Sequence, residues 1–553
     1  MKIGMITYPS VIVSDNLNHV FGNTVGALRQ KHEIIFCPPE YIHTTKARQR
    51  ELLKDLLLAS DVLLGPIDDL TLQVRAGIDK QPRFICFLHG NMSRGAPFMI
   101  RNYHYFKSTD ILIGNCTADV TLARKFFNNA QIRLLPFAFD ESVFYPLEDA
   151  HRQAIKAKLG FGPEEKILLY SGRITVEKNV HTIMRIFSVV QKLIPSARLI
   201  LAGNEFNSPF AEFGVLTVGI KRSLTRVIAK LGIDEGRVSF IGQKSPGELR
   251  DLYNIADAVV NMTLHHDENF GLAQVEAMAC GTPVIGTNWG GLKDTIVDGE
   301  TGYKVSTVVT TSGVKVNWWE AINRIVGLLT SGPEYLQLRQ RCRSSANERF
   351  SLVRYRQNLE SILADCLGKA EGSGEPLKAS AFARQYWRLC APQWGERPSY
   401  RRSELSYEMY RELITPFAGL SSNGSTAGSE LDPDQVLCLA SPILLTDKQS
   451  VVINDPIFPF EIALPDNLKE AIRAIAEIMK KEPAITVGRL IKTSSATQQD
   501  VLSAMEWMFD TGLIVKNEPE SWAIAPQSIG CQMATPLFSI QGIDHSTDII
   551  FIN

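Results

Sequence analysis

The feature that most constrains this chain is a rhythm of short apolar runs separated by amphipathic stretches, and it occurs twice. In residues 1–150 the apolar runs fall at 2–7, 32–37, 61–65, 84–89, 110–114 and 132–136. Runs of this kind read as strands covered on both faces, and the segments between them carry helical spacing. The pattern restarts after Asp149, with apolar runs at 166–170, 197–202, 238–241, 258–260 and 283–286. Parallel strands need crossover connections, usually helices, so this alternation predicts parallel sheets. Two such units in series predict two doubly wound, Rossmann-like domains whose ligands lie at the carboxyl ends of the strands. At 553 residues the chain has room for one or two further domains beyond them.

The second unit contains the string Glu268-Asn269-Phe270-Gly271-Leu272-Ala273-Gln274-Val275-Glu276, continuing as Ala277-Met278-Ala279-Cys280-Gly281-Thr282-Pro283-Val284-Ile285. It follows a strand ending near Asn261 and opens a helix near Leu272. Gly271 lets the backbone approach a ligand closely, and the first N–H groups of the helix can hold phosphate. Glu268 lies in the loop, and Glu276 lies one turn into the helix on the face returning toward that loop. A carboxylate accepts two hydrogen bonds from vicinal hydroxyls, so the two could hold opposite ends of a nucleotide sugar. An arbitrary pair of glutamates at this spacing would be a helix-end charge and a solvated face residue. Upstream, Tyr170-Ser171-Gly172-Arg173-Ile174-Thr175-Val176-Glu177-Lys178-Asn179 places two cations at a strand's end. There they can straddle a diphosphate and neutralise a leaving group. Taken alone, they would more often be surface charges.

Together these strings resemble the signature of the retaining GT-B glycosyltransferases of family 4. Weaker matches are Leu201-Ala202-Gly203-Asn204, Phe240-Ile241-Gly242-Gln243-Lys244 followed by Leu252-Tyr253, Gly290-Gly291-Leu292-Lys293-Asp294, and Asp298-Gly299-Glu300-Thr301-Gly302. The match is strong over residues 166–305 and loose over 306–368. The resemblance implies an α/β GT-B fold and transfer of a hexose-type sugar from a UDP-, GDP- or ADP-linked donor, with retention by front-face substitution. It implies no metal and no cofactor beyond the nucleotide-sugar donor. Carried over by position, it puts Arg173 and Lys178 on the diphosphate, Glu276 on the ribose and Glu268 on the transferred sugar. Asn269, Phe270, Gly271 and Leu272 then surround the donor, with Lys244 near the base. His89, after the run 84–88, corresponds to a histidine that reaches the donor sugar; by itself it reads equally as a structural histidine. Two departures bear on the acceptor side: the paired glycines expected near residues 7–16 are absent, and Phe137-Ala138 stands where Asn-Gly is usual.

Two other readings compete. One is a non-catalytic or regulatory sugar-nucleotide-binding protein on the same scaffold; the other is a phosphorylase or epimerase. The intact set Arg173, Lys178, Glu268 and Glu276 favours the transferase. The acceptor stays open: a saccharide, a lipid-linked group, a small molecule or a protein.

Charge narrows the partners. Lys plus Arg number 58 against 59 Asp plus Glu, which gives no global pull toward nucleic acid or anionic membrane. The first residues lack the pattern of a secretion leader, and no apolar stretch approaches bilayer length. The nine cysteines are scattered without metal-type spacing and read as reduced, mostly buried residues. Adjacent His265 and His266 seldom face one ion together, and Asp432-Pro433-Asp434 reads as a turn. The expectation is a cytoplasmic protein, peripheral at most to the inner membrane face.

The domain plan is residues 1–150 for the acceptor side, 151–350 for the nucleotide sugar and 351–368 for a closing helix. Residues 369–430 read as two Gly/Ser-rich linkers around a helical segment. Residues 431–553 read as an α+β accessory domain, winged-helix-like at 466–516. Over 466–516 the chain carries seven Lys/Arg and seven Asp/Glu, so it lacks the basic footprint of nucleic-acid binding and suits a protein partner or an acceptor carrier. The apolar segments beyond residue 370 must either form a separate core or pack on the outer face of the first domain.

Overall fold

The computed structural model describes residues 1–6, 15–38, 40–41, 44–79, 81–89, 102–175, 178–205, 215–217, 220–264, 268–310, 313–368, 374–390, 412, 415–419, 432–439, 443–445, 450–453, 460–482, 484–511, 513–517 and 549–551. The six apolar runs of the first unit are strands β1 (Lys2–Met5), β2 (Glu33–Phe36), β3 (Val62–Pro66), β4 (Arg83–Phe87), β5 (Ile111–Gly114) and β6 (Gln131–Leu134). They form one parallel sheet in the order β2-β1-β3-β4-β5-β6. Every residue of β3 and β5 is buried, as a sheet covered on both faces requires.

The second unit holds β7 (Lys166–Ser171), β8 (Ala197–Ala202), β9 (Val215–Thr217), β10 (Val238–Gly242), β11 (Ala258–Asn261), β12 (Val284–Thr287) and β13 (Gly302–Val305). Its parallel sheet runs β10-β8-β7-β11-β12-β13. Strand order reverses between β7 and β11, so the loops leaving those two strands diverge and open a crevice at their carboxyl ends. In the first sheet the reversal lies between β1 and β3. Strand β13 and the antiparallel hairpin of Thr307–Thr310 with Gly313–Val316 were not among the predicted strands; Gly302, Lys304, Thr307, Thr310, Gly313 and Lys315 interrupt what would otherwise be apolar runs.

Three helices follow: Trp318–Leu329, Glu334–Phe350 and Leu352–Leu367. The second follows Pro333, and the hydroxyl of Ser351 caps the third. That third helix crosses to the first domain and buries Tyr355, Leu359, Ile362, Leu363 and Cys366 among Ile3, Met5, Val62 and Leu64. Tyr355 Oη lies 2.7 Å from Thr24 Oγ1, and His32 Nε2 lies 3.1 Å from Glu360.

The described part of 369–430 is not a free linker. Residues 374–380 run along the first domain: the N–H of Leu377 donates to Phe106 O, that of Asn128 to Lys378 O, and that of Ser380 to Phe126 O. The helix Ala381–Cys390 then sets Phe382 and Tyr386 edge-on against Phe126. Beyond it, Leu437, Ile472, Ile475, Met479, Met505 and Met508 form a separate core. Both expected placements of the extension therefore occur, in successive segments. The separate core lies among helices Lys469–Lys481, Val487–Thr493 and Gln498–Asp510 and an antiparallel sheet of Ala484–Thr486, Val436–Leu439 and Ile514–Asn517. Residues 518–548, where a wing would follow, lie outside the described residues. Among the described residues, no helix is long and apolar enough to cross a membrane.

Candidate functional site

The two carboxyl-end crevices face one another. Asn269 Nδ2, on the loop after β11, donates to Asn115 Oδ1 at 3.4 Å, on the loop after β5. Asp294 accepts from the backbone N–H of Thr117 at 2.6 Å and its hydroxyl at 2.7 Å, so a carboxylate of the second domain caps the helix Thr117–Phe126 of the first.

The loop after β7 turns at Gly172 and returns through Asn179, whose left-handed backbone (φ 57°) is held by Nδ2 donating to Met262 O at 2.8 Å. This brings Lys178, from the β7 loop, against Glu268, from the β11 loop, with Nζ and Oε2 2.5 Å apart. Both side chains are largely sheltered, at 15% and 10% exposure. An ion pair with so little water is held firmly, and loss of either partner leaves a costly buried charge. Arg173 is exposed at the rim, its backbone carbonyl accepting from Tyr170 Oη at 2.6 Å.

Glycines at two places shape the Glu268 loop. Gly271 is left-handed (φ 86°) and starts the helix Leu272–Ala279. The N–H of Gly291 donates to Glu268 O at 2.6 Å. A β-carbon at Gly290 would sit 2.4 Å from Glu268 O, and one at Gly291 would sit 2.3 Å from Phe270 N. The glycine pair therefore allows a backbone approach that no other residue permits. Leu272 is partly exposed at the mouth of the helix. Phe270 differs from its expected place at the donor: its ring is 2% exposed, edge-on to Phe137 and Phe350, so only its backbone is available to a ligand.

Glu276 is partly buried, and Tyr253 Oη lies 3.1 Å from both Glu276 Oε2 and Ser171 Oγ. Desolvation pushes the Glu276 carboxyl up to about 8, against the partial relief of the Tyr253 hydrogen bond. Lys244 pairs with Glu248 (3.4 Å) at the first turn of the helix Pro246–Ile255, beyond β10. The Glu248 carboxyl, held at about 2 by the backbone and hydroxyl of Ser245 and by Lys244, completes a capping box.

On the facing domain, His89 ends β4's extension in a left-handed conformation (φ 48°), an uncommon state for a non-glycine residue. Its ring stacks on Phe87 (5.2 Å) and packs on Phe137 (5.7 Å), which in turn meets Phe270. The Phe137 departure is thus an aromatic relay between domains. Burial pushes the His89 imidazole down to about 4, opposed by its hydrogen bond with Asn115, so it is neutral at physiological pH. A small cavity of about 20 Å³ lies beside it, lined by Met5, Ile6, Val20, Phe21, Thr24, Gly65, Pro66 and Phe87. It sits at the first sheet's own reversal point. Asn115, Ser171, Tyr253, Thr117 and Asp294 were not singled out as site residues from the sequence, because the partner of each lies far along the chain. His265, His266 and Asp267 lie outside the described residues.

The model of the family "Glycosyl transferases group 1" matches residues 151–347. Mannosylfructose-phosphate synthase of Agrobacterium fabrum is 32% identical over 189 residues, 34% of this chain and 39% of the relative. D-inositol 3-phosphate glycosyltransferase of Mycobacterium marinum is 35% identical over 202 residues, 36% of this chain and 38% of the relative. The match thus spans about two fifths of the length of these curated relatives. Over both domains the chain superposes on Anabaena HepE, solved in complex with UDP and glucose, with a TM-score of 0.50 and 18% identity, covering 66% of this chain and 99% of that one. Sucrose-phosphate synthase from Thermosynechococcus elongatus gives a TM-score of 0.50 at 18% identity, covering 67% and 100%. At such identities the likeness speaks for the fold. Residues 151–347 are therefore a glycosyl transferases group 1 domain, and with the doubly wound domain before it they make this chain a GT-B protein.

Proposed function

We propose that the chain is a retaining glycosyltransferase that moves a hexose-type sugar from a nucleoside-diphosphate donor without a metal ion. The observation that carries this reading is the Lys178–Glu268 pair at the β7/β11 reversal, beside the first turn of the helix that carries Glu276. A lysine ammonium has three donors. One is fixed on Glu268, which leaves two aimed at a diphosphate lying across the helix N-terminus. With Arg173 at the rim, these cations stabilise charge developing on the leaving phosphate. Glu268 Oε1 accepts from a sugar hydroxyl, and Glu276 accepts from the ribose diol. The leaving phosphate takes the acceptor's proton on the same face, through an oxocarbenium-like state. Neutral His89 meets the sugar from the opposite domain.

The accessory core beyond residue 431 docks the acceptor or a protein partner. HepE was solved with UDP and glucose, which supports a UDP-linked donor here without deciding the base. Hydrolysis of UDP-, GDP- and ADP-hexoses, measured with and without EDTA, tests the proposal. Turnover of one donor that survives chelation is expected. Binding without turnover would favour the regulatory reading, and loss of activity in EDTA restored by a divalent ion would remove the metal-free mechanism.

A further inference from the structure

The loop that supports Glu268 has a second support that belongs to neither doubly wound domain. Residues 415–419 lie on the far side of Asn288–Lys293 from the Glu268 loop. The N–H of Gly290 donates to Phe417 O at 2.8 Å, the N–H of Gly419 donates to Asn288 O at 2.8 Å, and Trp289 bridges Ala418 in antiparallel fashion. Lys293 Nζ donates to Pro416 O. The rings of Trp289 and Phe417 stack at 5.9 Å, and both are fully buried. Both join the core of the first domain. Three main-chain layers result: 268–270 on 288–291, and 288–291 on 417–419. Lys125 Nζ of the first domain donates to Glu412 O, a few residues before this outer layer, at 3.1 Å.

A loop with two left-handed or sterically essential glycines has little stiffness of its own, because each glycine widens the conformations open to it. Here Phe417 removes that freedom. It fills the space beside Trp289, and its carbonyl takes the N–H of Gly290, one residue from the N–H that holds Glu268 O. We propose that Phe417, with the main chain of Pro416–Gly419, is a positioning element that fixes the Glu268 carboxylate against Lys178. The segment lies well beyond residues 151–347, so the site is completed from outside the family-matched domain. This inference rests on the reading that Glu268 meets the transferred sugar.

The test compares full-length Phe417→Ala and Phe417→Leu with the unaltered protein. Donor hydrolysis in Phe417→Ala should fall at least about tenfold in kcat, the scale for a small misplacement of a reacting group. The Kd for the free nucleoside diphosphate should change less than about twofold, because Arg173 lies on the β7 loop and Glu276 is held within the helix Leu272–Ala279 by its own packing. Phe417→Leu, which refills most of the space, should recover most of the rate. Amide hydrogen exchange should accelerate at 268–271 and 288–293 in Phe417→Ala while the sheet of the second domain keeps its protection. Unchanged exchange at 268–271, or kcat and nucleotide affinity falling together with global protection, would overturn the proposal. If no donor is bound or turned over by the unaltered protein, the transferase reading fails, and the exchange arm still decides whether Phe417 holds the loop.

Discussion

Glu276→Gln is the most informative single change, because the carboxyl it removes is poised to titrate on binding. In the unliganded protein, burial places that carboxyl at about 8, so at pH 7 it is mostly protonated. Ribose hydroxyls donate to the carboxylate, which favours the charged form and lowers its pKa. A nucleotide sugar should therefore release a proton as it binds below pH 8, and its affinity should rise by up to about tenfold per pH unit between pH 6 and 8. A nucleotide sugar is the right probe, since its diphosphate does not itself titrate in that range. In Glu276→Gln the pH slope should vanish, and affinity at pH 8 should fall by about 10–100-fold, the scale of hydrogen bonds to a charged group. Stability should shift the other way. A carboxyl raised in the folded state contributes fully below its unfolded value of 4.5 and loses that contribution as pH rises to about 8. The full rise would correspond to roughly 5 kcal/mol, and solvent at the partly open carboxyl reduces this to about 2 kcal/mol. Glu276→Gln should thus be the more stable protein at pH 8 and match the unaltered one near pH 4.5. Calorimetry in buffers of different ionisation enthalpy, with thermal melts at both pH values, checks both halves. A flat affinity across pH 6–8, or the same slope in the variant, would refute the argument.

Lys178→Ala and Arg173→Ala should each lower transfer by at least about 100-fold, but only Lys178→Ala should also lower the melting temperature. It strands the sheltered Glu268 carboxylate, whereas Arg173 is exposed. Near-normal turnover in both would remove the diphosphate assignment. Gly291→Ala should abolish turnover while the protein stays folded, because the new β-carbon falls on the Phe270 backbone; an active variant, read in the same hydrolysis assay, would show the approach to be dispensable. Tyr386→Ala should cost about 3 kcal/mol in denaturant unfolding, since the ring is fully buried against Phe126; a loss under about 1 kcal/mol would mean that the segment 374–390 adds little to the first domain.

Local pattern carried much of this protein. All eleven apolar runs read as strands are strands; in inner strands such as β3 and β5, residues buried on both sheet faces must be apolar along their whole length, and that shows without knowledge of any neighbour. The chemistry-bearing loops were legible for a related reason: Gly172, Gly271, Gly290 and Gly291 mark places where only glycine meets the backbone geometry, and the charged residues stand beside them. The stops at Pro333 and Ser351 are local too.

Contacts between segments distant in sequence were decided only by tertiary structure. Lys178 and Glu268 stand 90 positions apart and meet because β7 and β11 flank the point where strand order reverses. Tyr253 reaches Glu276 because one helix packs beside another, and the ring of Phe137 packs between His89 and Phe270. Residues 374–390 and 415–419 read as linker and helix by composition, yet Tyr386 and Phe417 are fully buried. Composition reports whether a segment can carry its own core. It is blind to a segment that completes the core of another, because the complementary surface is built from residues hundreds of positions away.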